Sequence, residues 1–131
     1  MNQTTMLPLY SSRPAAGFPA PGDDQVERSL DINDLVVAHP EATFFVRVEG
    51  DSMEGAGIFS GDVLVVDRSV MPTNGRIVAA AVNGELVVKR LRSSSSELEL
   101  VSENEEYAPI TVSEDENCTI WGVVVGSVRQ F

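Results

Sequence analysis

Ile77-Val78-Ala79-Ala80-Ala81-Val82-Asn83-Gly84-Glu85-Leu86-Val87-Val88-Lys89-Arg90-Leu91 is the stretch that decides the fold. Two apolar runs flank Asn-Gly, the pair that best tolerates the positive φ angles of a two-residue turn, so the segment predicts a β-hairpin. Outward from it the same signal recurs. Phe44–Val48, Val63–Val66, Leu98–Val101 and Ile120–Val128 are short β-rich runs bounded by Gly, Asp or Ser. About seven short strands are expected, hence a mainly β domain. One short helix is expected, with Ser29 or Asp31 as cap, Ile32, Leu35 and Val36 at helical spacing, and Pro40 as its stop.

Residues 1–24 differ in composition. Pro8, Pro14, Pro19 and Pro21 stand among Ser, Thr and Ala, and Arg13 is the only charge before Asp23. Proline disfavours helix and interior strand, so 1–24 reads as an extended arm and 25–131 as the folded domain. The 131 residues suit a single core, and 43% apolar against 22% charged residues is ordinary globular composition.

The chain carries 9 basic and 20 acidic side chains, a net charge of −11. Phosphates repel a net anion, so direct binding to nucleic acid or to an anionic membrane is not expected. From Glu97 to Glu116 there are eight acids and no base, which reads first as a solvated face. Cys118 is the single cysteine and His39 the single histidine. Cys118 is expected to act as a small core hydrophobe in a reducing compartment. With so few His and Cys ligands, no metal site is expected, and no phosphate-binding glycine loop suggests a cofactor. Gly55, Gly57 and Gly61 are read as turn formers. With no basic, apolar leader and no run long enough to span a bilayer, a soluble cytoplasmic protein is expected.

Lys89 is the exception in this composition. It is the only lysine, and the other eight basic residues are all arginine. Strand alternation puts Val87, Lys89 and Leu91 on one face and Arg90 and Arg92 on the other. An arginine stays charged near neutral pH, whereas a desolvated lysine can lose its proton. At an ordinary pKa of ~10.4, about one lysine in 2,500 is neutral at pH 7. A fall of about three units costs roughly 4 kcal/mol of differential solvation and leaves a usable base. The bland alternative is a lysine that snorkels past the sheet edge or pairs with an acid. Gly50-Asp51-Ser52-Met53 supplies a possible partner, because a serine on a turn presents its hydroxyl beside backbone N–H groups. The ordinary role for such a serine is to cap a helical turn. With no usable histidine, a serine–lysine pair is the nucleophilic arrangement this composition permits.

These residues carry a resemblance. Gly50-Asp51-Ser52-Met53 and Val87-Val88-Lys89-Arg90-Leu91, with Ser52 and Lys89 separated by 37 positions, resemble the LexA-type self-cleaving serine–lysine peptidases. His39–Val46, Ala81–Glu85 and Tyr107-Ala108-Pro109-Ile110 resemble the UmuD branch of that family. The resemblance implies a β-rich catalytic domain like that of LexA and signal peptidases, with a short helix and an extended N-terminal arm. It implies that Ser52 attacks the Ala16 carbonyl of the Ala16-Gly17 bond while neutral Lys89 takes the proton. It also implies a homodimer, cleavage stimulated by the RecA filament on single-stranded DNA in the SOS response, and a shortened product that serves a UmuC-type Y-family translesion polymerase. A repressor role is not expected, since only the arm and a short helix precede Ser52. A membrane peptidase is not expected either. The alternative to an enzyme is a dimeric interaction module of the same fold that leaves the pair unused; a protease acting on other proteins is a third reading.

Overall fold

In the computed structural model, residues 5–12, 26–94, 97–112 and 117–131 are described. The chain divides into two units, Met1–Ala38 and His39–Phe131. In the first, β1 (Leu7–Tyr10) pairs antiparallel with β2 (Val26–Leu30), and α1 (Ile32–Val36) follows. Asp31 caps α1, its carboxylate accepting from the Asn33 backbone N–H at 2.9 Å. The helix ends at Val36, ahead of Pro40, which instead opens a 3-10 turn over Pro40–Ala42. The composition of residues 1–24 did not reveal β1. Among the described residues β1 pairs only with β2, and proline is tolerated on an edge strand of this kind.

The second unit is a sheet of seven antiparallel strands: β3 (Thr43–Arg47), β4 (Val63–Asp67), β5 (Ile77–Val82), β6 (Glu85–Ser93), β7 (Leu98–Val101), β8 (Ile110–Val112) and β9 (Cys118–Val128). Their order is β3-β4-β9-β5-β6-β7-β8. The mainly β expectation holds, and the hairpin is where Asn-Gly placed it: Asn83 and Gly84 have φ of 50° and 84°, joining β5 to β6. The long strand β9 is central, and its register slips against β4 and again against β5. Each slip adds local twist, which lets one sheet enclose apolar residues on both of its faces.

Two cores result. One gathers Val46, Val48, Met53, Ile58, Leu64, Val66 and Ala79; the other gathers Val78, Ala80, Val82, Leu91, Leu100 and Val123. Full burial of one such aliphatic side chain contributes about 1.5–3 kcal/mol. Cys118 is half-buried against the second core. Among the described residues, no helix is long and apolar enough to cross a membrane.

Candidate active site

The turn after β3 is anchored from below. Met53 is 2% exposed in the first core, and its carbonyl accepts from the N–H groups of Ala56 and Ile58. That anchorage holds the preceding residue, Ser52, half-buried at the rim of a cleft of about 400 Å³. The end of β3 (Val46, Arg47), Val48, Glu49 and the first half of β6 (Leu86–Lys89) line the same cleft. Ser52 and Lys89 therefore share one cavity despite their separation in sequence.

Lys89 is 9% exposed, and its neighbours on the strand obey the expected alternation: Leu91 is buried, Arg90 half-buried and Arg92 exposed. Burial pushes the Lys89 ammonium below the ordinary lysine range, because desolvation penalises the charged form. Its amine donates a 2.6 Å hydrogen bond to Ser102 Oγ, and it stands 5.2 Å from the centre of the Tyr107 ring. Among the described residues, the hydrogen bond of this amine goes to Ser102 and not to Ser52.

The loop between β7 and β8 grips both halves of the cleft. The Glu103 carbonyl accepts from the Gly55 N–H at 2.8 Å, and Asn104 Nδ2 donates to the Asp51 carbonyl at 3.0 Å. Tyr107 Oη donates to Asp51 Oδ1 at 2.5 Å, and that carboxylate raises the phenol's pKa above its usual value. Arg90 pairs with Glu103. Part of the acidic run is thus packed against the serine turn rather than standing wholly in solvent. Gly55 has its own reason to be glycine: a Cβ there would lie 2.6 Å from the Glu103 carbonyl oxygen. Gly57 and Gly61 are turn formers as expected, with φ of 80° and 94°.

His39 belongs to a separate cluster. Its Nδ1–H donates to Asp67 Oδ2 at 2.6 Å, and Ser69 Oγ lies 3.0 Å from the same nitrogen. A proton relay needs the acid and the nucleophile on opposite ring nitrogens, so this trio cannot act as a Ser-His-Asp triad. It ties the 3-10 turn to the end of β4. The hydroxyl of Ser69 and the ring of His39 hold Asp67 at about 2. Ala16 and Gly17 lie outside the described residues. Among the described residues, no cluster of His, Cys, Asp and Glu could hold a metal.

The far side of the serine turn is fixed by the C-terminal segment. Arg129 forms a two-point pair with Asp62 (2.7 and 2.8 Å), and Asp62 also accepts from the Phe59 N–H at 2.9 Å. The Arg129 bond, then the Phe59 bond, lower the Asp62 carboxyl to about 2. A carboxyl with a depressed folded pKa stabilises the fold above its ordinary value of 3.8, and that contribution is lost as pH falls from there toward 2. Thermal melts should therefore show wild type losing stability across this window. Asp62→Asn should melt lower at pH 6, and the gap between the two should narrow as the pH falls below 3.8 and close only below about pH 2.

The seven-stranded, mainly antiparallel β architecture fits the LexA-like fold of self-cleaving serine peptidases, and the chain belongs to the Peptidase S24-like family, which matches residues 8–125. Among curated proteins, it is 45% identical to Protein ImpA of Salmonella typhimurium over 94% of this chain and 83% of that one. It is 41% identical to Protein MucA of Salmonella typhimurium, over 93% and 84%. A LexA repressor from Pseudomonas chlororaphis is 40% identical over 95% of this chain and 61% of its own length.

Proposed function

We propose that this protein is a self-cleaving peptidase of the SOS response, in which Ser52 is the nucleophile, Lys89 the general base and Ala16-Gly17 the bond cut. The observation that carries this reading is a lysine buried in the same cleft as a turn serine, with its charge disfavoured by desolvation. Ser52 Oγ attacks the Ala16 carbonyl carbon and its proton passes to Lys89 Nζ. The C–N bond then breaks, and Lys89 returns the proton to the departing Gly17 amine. The ester left on Ser52 is hydrolysed by a water that Lys89 deprotonates, which frees the Ala16 carboxylate and restores the hydroxyl.

The strand edges support an extended substrate. The first half of β6 is paired with β5 on one side, and β7 joins its other side only from Arg90 onward. Among the described residues, the stretch before Arg90 thus keeps an open edge of backbone donors and acceptors along the cleft. An arm whose prolines disfavour helix can add to such an edge as a strand. By the resemblance of His39–Val46, Ala81–Glu85 and Tyr107–Ile110 to the UmuD branch, cleavage is stimulated by a RecA filament on single-stranded DNA. The shortened form acts as a homodimeric accessory subunit of a UmuC-type Y-family polymerase. Its surplus of acids suits a protein that works beside DNA through partners.

The test is the intact mass of purified protein held at mildly alkaline pH. Wild type should yield fragments 1–16 and 17–131, at a rate that rises with pH as Lys89 loses its proton, and Ser52→Ala should stay whole. A wild-type chain that remains intact even with RecA filament added would favour the interaction module.

A further inference from the structure

The ladder between β6 and β7 pairs Leu91 with Leu100 and Arg90 with Val101, and there it stops. The next position on each strand is Lys89 on one side and Ser102 on the other. Both are buried, at 9% and 8% exposure, and the 2.6 Å hydrogen bond joins them. We propose that Ser102 is a positioning residue for the Ser52–Lys89 reaction, holding the lysine amine so that its lone pair faces the cleft; this rests on the peptidase reading above.

A neutral amine has two N–H bonds and one lone pair, and rotation about Cε–Nζ can send the lone pair anywhere. A fixed acceptor on one N–H restricts that rotation. Ser102 is a suitable acceptor because it carries no charge. A carboxylate in its place would stabilise the ammonium and keep the proton on the base. The other groups facing the amine divide by element. Tyr107 presents its ring from the β7–β8 loop, while its hydroxyl is occupied by Asp51. Arg47 and Glu49 line the cleft from the end of β3 and the residues just after it. Arg90 and Glu103, next in sequence to Lys89 and Ser102, engage each other. Among the described residues, the hydroxyl of Ser102 is the group that hydrogen-bonds the amine. The same loop holds Asp51 and Gly55, so one segment sets both the base and the turn that bears the nucleophile.

Ser102→Ala and Ser102→Thr separate positioning from packing. Self-cleavage is followed by intact mass from pH 7 to pH 10. Ser102→Ala should lower the high-pH plateau rate about tenfold, and Ser102→Thr, which keeps the hydroxyl, should recover most of it. The second readout uses the fact that Lys89 is the only lysine. In a Ser52→Ala background, protein labelled at lysine Cε gives one side-chain NMR signal to titrate. Loss of the Ser102 acceptor should move its midpoint to lower pH, because the ammonium loses a hydrogen-bond partner. A Ser102→Ala protein that cleaves at the wild-type rate at every pH, or an unchanged midpoint, overturns the proposal. Failure of the underlying reading would look different: Lys89→Ala or Ser52→Ala would itself cleave like wild type.

Discussion

Lys89→Arg is expected to reduce self-cleavage by at least about a thousandfold although it preserves a positive side chain. The expectation follows from the buried position. Desolvation in the cleft brings the amine closer to losing its proton. A guanidinium, with a pKa above ~12, holds its proton throughout the working range. It also brings a fork of five N–H donors to a pocket where one serine hydroxyl accepts from the amine. The measurement is the time course of intact mass at pH 7 to 10, with circular dichroism as the control for folding. Cleavage of the arginine variant within about tenfold of wild type would remove the lysine from the chemistry.

Gly55→Ala is the second change with a large expected effect. The new methyl would meet the backbone carbonyl of Glu103 at 2.6 Å, and the Gly55 N–H bonds that same oxygen. Two backbones are pressed together there, and no flexible side-chain tip can swing aside. Overpacking of this kind costs about 1–3 kcal/mol, which in a domain of this size lowers the melting temperature by several degrees. The functional cost is expected to be larger than the thermal one. The segment displaced runs from Ser102 through Tyr107, so the lysine amine and the serine turn lose their common support together. A cleavage rate down at least tenfold in a protein that still melts cooperatively is the expected result. Wild-type cleavage in that variant would show that the contact between the two loops is not needed for the reaction.

Most of the strands were legible from the chain because their signals are local. Asn83-Gly84 tolerates positive φ wherever it occurs, and the apolar runs on either side needed only to pair. β1, β2 and β8 were not legible. Leu7–Tyr10 contains a proline, Val26–Leu30 interrupts its apolar ends with charge, and Ile110–Val112 is short. Each is a strand because a partner strand lies beside it. The acidic run was legible only in part. Counting charges favours solvent, and Glu97, Glu105 and Glu106 are exposed, yet Glu103 also supplies a backbone carbonyl to Gly55, and its neighbours Ser102 and Asn104 bond Lys89 and Asp51. Ser102 carried no signal of its own, since a serine in a polar stretch looks like any other.

By itself the sequence determined that Lys89 must share a face with Val87 and Leu91, because the two-residue period of a strand is a property of the backbone. It likewise set one lysine apart from eight arginines as a basic side chain that desolvation can bring to give up its proton, which an arginine does not do near neutral pH. Only the tertiary structure decided that this amine meets Ser102, and that Ser52 opens onto the same cleft. Those meetings depend on which strands pair and in what register, and register is set by long-range packing that no short window of sequence contains.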